Sequence, residues 1–139
     1  MTGRFELLEH TADIGLRVRG DTPAEVLEAA AQGLATLEGA WFPGRGAERE
    51  VLAEASDLAA LLVTWLDELL YLRDAEDLVF GGFAVRMDDG PAPGARARVR
   101  VEPRGDRVLE SAGVKAATYH GLRFEPENGG WVADVYLDV

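Results

Sequence analysis

The spacing of apolar residues divides the chain into helical and extended segments. In two stretches of the first half, apolar positions recur with the period of a helix that buries one side. Thr22, Pro23 and Glu25 form a helix start, because threonine caps, proline suits the first helical position and glutamate completes a capping box. We therefore predict one helix that ends at a Gly39 C-cap, and a second that begins at Ser56 or Asp57 and runs to about Arg73.

Apolar residues cover much more than one side of the second predicted helix. They are Leu58, Leu61, Leu62, Trp65, Leu66, Leu69, Leu70 and Leu72. That breadth predicts a helix packed across a sheet and largely buried. Asp67 and Glu68 are among its polar residues, but adjacent helical positions point in different directions, which disfavours a working carboxylate pair.

The remaining segments alternate apolar and polar residues, which is the period of a strand. Gly81-Gly82 indicates a bulge within one of them, and Asn128-Gly129 is a strong hairpin signal. The predicted strands are 5–8, 14–19, 48–55, 78–87, 96–101, 114–125 and 131–139. Together the elements predict one α+β domain over residues 1–139, with a mixed, mostly antiparallel sheet and two helices packed on one face.

The charge of the chain narrows the classes of partner. It carries 25 acidic and 14 basic side chains, for a net charge of −11 and a pI of about 4.5. Autonomous nucleic-acid binding is disfavoured, since phosphate backbones are bound through cations; metal ions and basic protein surfaces suit an acidic domain better. The absence of cysteine excludes disulfides and thiolate metal sites. No apolar run predicts a membrane span and no signal peptide is recognisable, so we expect a cytoplasmic location.

The basic residues are almost all arginine. Arg96, Arg98 and Arg100 alternate along one predicted strand, where they could bind phosphate or form a solvated face paired with carboxylates; the acidity of the chain favours the second. Lys115 is the single lysine beside thirteen arginines. A compact ammonium differs from a planar guanidinium, so this exception indicates a task that arginine cannot perform, although chance can also leave one lysine on a solvated strand.

Two carboxylates of the chain are candidate metal ligands. Asp13 is in the connection after the first strand, and Asp138 ends the last strand beside Val139. Oxygen ligands suit a hard divalent cation such as calcium, magnesium or manganese. Spacing alone leaves open that Asp13 caps a turn and that Asp138 is a solvated end residue. His10 and His120 are too few for a zinc site and are equally compatible with structural hydrogen bonding.

The hairpin length decides which residue faces Asp138. A two-residue turn places Asp138 opposite Tyr119, and a three-residue loop places it opposite His120. In both cases Lys115 projects beyond the end of its partner strand. We therefore predict that the lysine and Asp138 gather at one end of the sheet.

The sequence offers no nucleophile for an independent enzyme. It lacks cysteine, Gly-x-Ser-x-Gly, a phosphate-binding glycine loop and a dinucleotide fingerprint. Ser56 is explained by a helix start, and Ser111 lies in a loop-like stretch. The positive evidence for an independent enzyme is therefore poor.

Four segments in this order resemble the archease family. They are HTADIG at residues 10–15, LLVTWLDELLYL at 61–72, VKAATYH at 114–120 and VYLDV at 135–139. The resemblance extends from the first loop to the last residue. Asp67 departs from it, because asparagine is more typical of the family at this position.

The resemblance implies an activator of the RtcB-type RNA-splicing ligase of tRNA splicing and RNA repair, an enzyme that needs metal and GTP. Archeases promote guanylylation of the ligase's own histidine and permit multiple turnover. By resemblance, Asp13, Asp138 and a main-chain or terminal oxygen of Val139 hold a divalent metal. The implied partner contacts are Lys115, His10 and His120, with Glu68 in support.

Two other functions remain open. An acidic accessory domain could act as a chaperone or modulator of another RNA-modifying enzyme, and the identity of a co-purified partner would separate this from ligase activation. A metal-dependent hydrolase that uses Asp13 and Asp138 would show turnover as purified protein alone.

Overall fold

The computed structural model describes residues 3–8 and 13–139, and this part of the chain has more residues in strands than in helices. The elements are, in order, β1 (Arg4–Leu8), β2 (Asp13–Gly20), α1 (Pro23–Leu37), β3 (Ala47–Glu54), α2 (Leu58–Glu76), β4 (Leu78–Met87), β5 (Gly94–Pro103), β6 (Ala116–Glu127) and β7 (Gly130–Asp138). Each predicted helix and strand is present, with ends displaced by a few residues. The predicted connection around His10 lies outside the described residues.

The strands form two antiparallel sheets. The first has the order β1-β2-β7-β6 and the second the order β3-β5-β4. Helix α1 contacts β2 and β4, while α2 contacts β6 and β3, so each helix packs against both sheets. The α+β class and the antiparallel pairing are confirmed. The division into two sheets was not specified by the sequence, because alternation predicts a strand without naming its neighbour.

Helix α1 begins as the sequence predicts. The Thr22 side chain accepts a hydrogen bond of 3.2 Å from the Glu25 amide, with Pro23 in the first turn. The helix ends at Leu37, and Glu38 is its C-cap. Gly39 follows with φ +64°, so the predicted glycine lies just beyond the cap, where a left-handed residue is needed.

Helix α2 is longer than the sequence predicted. Asp57 caps it by accepting a 2.8 Å hydrogen bond from the Ala60 amide, but the helix continues to Glu76 before Asp77 turns left-handed at φ 54°. Its predicted burial is confirmed at Trp65, which is fully buried. The Trp65 indole donates a 2.8 Å hydrogen bond to the carbonyl of Leu27, and this bond joins the two helices. No helix within residues 3–8 and 13–139 has the length and apolar content of a membrane span.

Both predicted irregularities of the strands are present. In β4 the pairing with β5 shifts between Phe80 and Gly82. A Cβ added to Gly81 would lie 1.8 Å from the Arg45 carbonyl oxygen, so only glycine fits this bulge. The Asn128-Gly129 turn joins β6 to β7 with two residues of positive φ, as expected for a tight hairpin.

The predicted register of Asp138 is wrong, because β6 contains a second bulge. Between the pairs Thr118–Tyr136 and Arg123–Asp134, β6 has three more residues than β7. Gly121 lies in this bulge with φ +65°, a conformation that favours glycine. The bulge therefore shifts the register of the first residues of β6 by three positions relative to β7.

The bulge changes which residues meet at the end of the first sheet. Asp138 lies opposite Ala116, not opposite Tyr119 or His120. Lys115 consequently stands directly before the first paired residue of β6 instead of several residues beyond the partner strand. The prediction that Lys115 and Asp138 share one end of the sheet is retained, with a much closer approach.

Candidate functional site

The site is built on a row of residues across three neighbouring strands. Asp13 on β2 is opposite Asp138 on β7, and Asp138 is in turn opposite Ala116 on β6. Directly opposed residues project from the same face of a sheet, with Cβ atoms about 5 Å apart. We call Asp13, Asp138 and Lys115 the acidic tip. Asp13 is half-buried and Asp138 is exposed.

The main chain of Lys115 is fixed to the acidic tip. Its amide donates a 2.8 Å hydrogen bond to the carbonyl oxygen of Asp138. The Lys115 side chain is exposed, and within residues 3–8 and 13–139 it forms no ion pair. The backbone of this lysine is therefore held while its ammonium faces solvent.

The second histidine lies near the tip on the β6 bulge. His120 and Tyr119 are both exposed there. The His120 ring contacts Tyr136 in an edge arrangement, with centroids 6.3 Å apart. His10, the other predicted partner contact, lies outside the described residues.

Tyr136 explains why glycines flank the acidic tip. A Cβ on Gly15 would lie 2.7 Å from the Tyr136 ring, and a Cβ on Gly121 would lie 2.8 Å from it. The ring therefore occupies the space that two missing side chains leave on neighbouring strands. It separates the acidic tip from the rest of the outer face of the sheet.

Beyond Tyr136, the outer face is covered by ion pairs. Asp134 lies between Arg17 at 2.8 Å and Arg123 at 2.7 Å. Burial alone would raise the pKa of Asp134, but hydrogen bonds and charges from both arginines outweigh it and hold the pKa below its ordinary value. In the described part of the chain no arginine pairs with Asp138. Asp134 is thus a structural carboxylate, whereas Asp138 remains open to a partner.

Two further predicted site residues have different surroundings. Val139 follows Asp138 directly and is 41 % exposed, so its main-chain oxygens lie at the acidic tip. Glu68 is exposed on α2, and its side chain makes no hydrogen bond or ion pair with the described residues. Its predicted supporting role stays a prediction.

Asp67 is a residue whose connection to the site the sequence did not reveal. Its Oδ1 accepts a 3.1 Å hydrogen bond from the amide of Ala117, two residues after Lys115. The departure from asparagine thus lies against the strand that begins directly after the lysine. Asparagine offers the same kind of oxygen acceptor, so both residues can make this bond.

The metal prediction rests on few protein ligands. Among the residues that the structure describes, no group of three or more histidine or acidic side chains has metal-binding geometry. Asp13 and Asp138 provide two carboxylates on one face, and Val139 adds main-chain oxygen beside them. This donor set consists of oxygen alone, which fits calcium, magnesium or manganese in kind and leaves coordination positions for water or a partner.

The arginine row of β5 is a mixed surface. Arg98 is 76 % exposed and lies 4.0 Å from Glu48, while Arg100 donates to the carbonyl of Gly46. Arg96 lies opposite Arg86 on β4, and both residues line a groove of about 310 Å³. Within residues 3–8 and 13–139, Arg98 is the one arginine of this row that pairs with a carboxylate, through this long contact.

Comparison with known proteins shows relatives over almost the whole chain. The model of the Archease protein family matches residues 5–139. A protein archease of Thermococcus gammatolerans is 40 % identical over 150 residues, covering 98 % of this chain and 99 % of the relative. The corresponding protein of Pyrococcus furiosus is 37 % identical over 142 residues, with coverage of 98 % and 99 %.

Solved structures show the same fold. The solution structure of Methanobacterium thermoautotrophicum protein 1598 has a TM-score of 0.82 and 30 % identity, covering 97 % of this chain and 98 % of that one. A crystal structure from Thermotoga maritima, described as an archease and possible chaperone, has a TM-score of 0.62 at 24 % identity, with 96 % coverage of both. Fold, family model and relatives agree, and this chain belongs to the archease family.

Proposed function

We propose that the chain activates an RtcB-type RNA-splicing ligase in tRNA splicing and RNA repair. It promotes GTP-dependent guanylylation of the ligase and permits multiple turnover. The observation that carries this proposal is that Asp13 and Asp138 lie opposite each other on neighbouring strands, while the Lys115 amide donates a hydrogen bond to the Asp138 carbonyl oxygen. Membership of the archease family supports the choice of partner.

The acidic tip acts by presenting charge to the partner's reaction centre. When a ligase histidine attacks a nucleotide phosphate, negative charge shifts among the phosphate oxygens and must be stabilised. The exposed ammonium of Lys115 can contact a phosphate oxygen or orient a neighbouring carboxylate. The hydrogen bond of the Lys115 amide fixes the position of its backbone, so that only the side chain has to move to contact the reaction centre.

A divalent cation belongs to this proposal. Asp13, Asp138 and an oxygen of Val139 would hold calcium, magnesium or manganese. When bound, such a cation supplies charge screening close to a nucleotide triphosphate. The carboxylates themselves also give the tip an attraction for the basic cleft that a nucleotide-binding enzyme needs.

The chain acts in the cytoplasm and through its partner. It does not bind RNA by itself and does not form a covalent intermediate. Its net charge of −11 opposes a phosphate backbone. It lacks cysteine, and no nucleophile–base pair is recognisable in its sequence. Catalysis therefore remains with the ligase.

Labelled GTP tests the proposal directly. The cognate ligase is incubated with labelled GTP, with and without a substoichiometric amount of this chain, and guanylylated ligase is followed on denaturing gels. We expect faster accumulation, because one activator molecule can serve many ligase molecules in turn. An equal rate with and without the chain would show that the proposed activation is wrong.

Variants locate the activity within the chain. Asp13→Ala and Asp138→Ala should abolish the acceleration. Asp21→Ala is the matched control, because Asp21 is exposed immediately after the opposite end of β2. Retention of full acceleration by both tip variants would place the active surface elsewhere.

Two outcomes would favour the other functions. Purification of the chain from its host with a different RNA-modifying enzyme as the main partner would favour a chaperone or modulator. Hydrolysis of a phosphoester by the chain alone, lost in Asp138→Ala, would favour a metal-dependent hydrolase. The absence of a recognisable nucleophile–base pair in the sequence makes the hydrolase the weakest of the three.

A further inference from the structure

A buried ion pair lies beneath the segment that leads to Lys115. Glu38 Oε1 is 2.6 Å from Arg73 Nη1, and the side chains are only 2 % and 16 % exposed. Glu38 is the C-cap of α1 and Arg73 belongs to the last turn of α2. Burial of both charges is costly unless further hydrogen bonds satisfy them. The other hydrogen-bond partners of Glu38 and Arg73 therefore indicate which part of the chain this ion pair positions.

Those partners lie in the irregular segment between β5 and β6. Glu38 accepts hydrogen bonds from the Ser111 hydroxyl and, at 2.8 Å, from the Val114 amide. Arg73 donates a 2.8 Å hydrogen bond to the Val114 carbonyl. Both backbone polar groups of Val114 are therefore bound by side chains of the two helices, and Lys115 is the next residue.

The stability of α1 does not explain why its C-cap, residue 38, is a glutamate. A negative side chain at a helix C-terminus opposes the helix dipole. The segment also docks closely at this point: the Ala112 amide donates to the Leu37 carbonyl at 2.9 Å, and a Cβ on Gly39 would lie 2.9 Å from the Glu110 backbone. The identity of residue 38 is better explained by the segment that it binds.

The backbone is also held on the other side of Lys115. Asp67 accepts the hydrogen bond from the Ala117 amide, and the Lys115 amide itself donates to Asp138. Because β6 is an edge strand of the first sheet, the Ala117 amide can donate to a side chain outside the sheet, here Asp67 on α2. Side chains from α1 and α2 thus restrain the chain before and after the lysine.

We infer that Glu38, Arg73 and Asp67 form a clamp that positions Lys115 for activation of the partner. They act through the backbone and leave the ammonium exposed. Preorganisation of this kind reduces the conformational freedom that is lost when a side chain engages a partner. The inference rests on the proposed function for its biological consequence, but the positioning itself can be measured without the ligase.

The single lysine makes the measurement selective. Reductive methylation with ¹³C-formaldehyde labels Lys115 and the N-terminal amine, because no other lysine is present. The N-terminal signal is distinct, since an α-amino group has a pKa well below that of lysine. The methyl resonance of Lys115 and hydrogen exchange of its amide then report its conformation directly.

Four variants separate positioning from folding. Asp67→Ala removes one bond from an exposed residue, whereas Asp67→Asn keeps an oxygen acceptor and serves as the conservative control. The double variant Glu38→Leu with Arg73→Leu replaces a buried ion pair by apolar groups and removes the side-chain partners of both backbone polar groups of Val114. Arg49→Leu with Glu76→Leu removes an ion pair of similar length, 2.7 Å, away from the lysine.

We expect Asp67→Ala and the Glu38/Arg73 double variant to exchange the Lys115 amide at least about tenfold faster. Asp67→Ala should keep the global melting temperature, whereas the double variant should lower it, because the backbone polar groups of Val114 lose their partners. Their Lys115 methyl resonance should move toward that of an unstructured lysine. In the ligase assay, maximal acceleration of guanylylation should fall, with little change in the concentration that gives half the effect. Asp67→Asn and the Arg49/Glu76 variant should behave as wild type.

Several results would overturn the clamp. Wild-type exchange and resonance in Asp67→Ala, which cannot be attributed to unfolding, would show that the bond does not position the lysine. Faster exchange together with undiminished maximal acceleration would show that positioning does not matter to function. If the wild-type chain itself fails to accelerate guanylylation, the proposed function is wrong, and the exchange and resonance data alone decide whether the clamp exists.

Discussion

Asp13 on β2 lies directly opposite Asp138 on β7, so two carboxylates share one face at the end of an antiparallel pair. Like charges in this arrangement destabilise a sheet by a few tenths of a kcal/mol. A protein that keeps such a pair gains stability when a cation binds between the two strands. The same geometry therefore links the predicted metal site to the stability of the fold.

The first prediction uses this linkage. Asp138→Asn should raise the melting temperature slightly in the presence of a chelator, because it removes one of the two opposed charges. Calcium, magnesium or manganese should stabilise the wild type by about 2.7 kcal/mol at 100 times the dissociation constant, and the variant much less. Scanning calorimetry measures both effects. Equal stabilisation of both proteins by every cation would argue against a metal ligand at Asp138.

The second prediction concerns the shape of the lone lysine. Lys115→Arg keeps the positive charge but replaces a compact ammonium with a planar guanidinium. Because the side chain is exposed, the free energy of unfolding should change by no more than about 0.5 kcal/mol. Acceleration of ligase guanylylation should nevertheless be impaired. Full activation by the arginine variant would mean that the single lysine is an accident of composition.

The third prediction follows from the carboxylate beyond Tyr136. The pKa of Asp134 is held below its ordinary value, so Asp134 contributes stability above pH about 3.9 that is lost as pH falls toward its folded pKa. Arg123→Met removes one cause of the low pKa, and the midpoint of acid unfolding should therefore move to higher pH. Arg86→Met is a control, because Arg86 forms no ion pair with the described residues. The same upward displacement in both variants would contradict the assignment.

The fourth prediction concerns a carboxyl group whose pKa is raised, so its contribution to stability changes with pH in the opposite direction. Burial raises the pKa of Glu28, whose Oε2 accepts a 2.9 Å hydrogen bond from the Val85 amide. A raised pKa means that the contribution to stability is present below the unfolded pKa and is lost as pH rises through the folded pKa. Glu28→Gln keeps an oxygen acceptor without the charge, so it should stabilise the protein at pH 8 by up to about 1 kcal/mol. At pH 4 the gain should be much smaller. Thermal melting at both values tests the difference, and a gain independent of pH would exclude this cause.

The elements of the fold could be predicted because local rules determine them. Thr22 and Asp57 cap their helices through hydrogen bonds that depend on residues three positions away. The partition of strands between two sheets depends instead on contacts with both helices, which the strand pattern does not contain. Local chemistry was therefore sufficient for the elements and insufficient for their arrangement.

The site was predicted in part, and its error has one cause. Lys115 and Asp138 were expected at one end of the sheet, and Asp13 joined them only through the family resemblance. The register of Lys115 with Asp138 required knowledge of the β6 bulge. The only local signal for that bulge was Gly121, and its meaning depends on Tyr136 of another strand. Likewise, Glu38 and Arg73 are 35 positions apart in the sequence, and nothing near either residue indicates that they form an ion pair.

The last prediction tests the bulge itself. Gly121→Ala and Gly129→Ala both place a Cβ on a residue of positive φ, +65° and +81° respectively, and should incur similar backbone strain. A Cβ at Gly121 would also lie 2.8 Å from the Tyr136 ring, whereas nothing lies within 4 Å of a Cβ at Gly129. Chemical denaturation should therefore show Gly121→Ala to be less stable than Gly129→Ala by about 1–3 kcal/mol, the usual range for overpacking. Addition of Tyr136→Leu should remove much of this difference by removing the ring. If the two alanine variants are equally stable, Tyr136 does not hold the bulge, and the position of Lys115 beside Asp138 depends on the clamp alone.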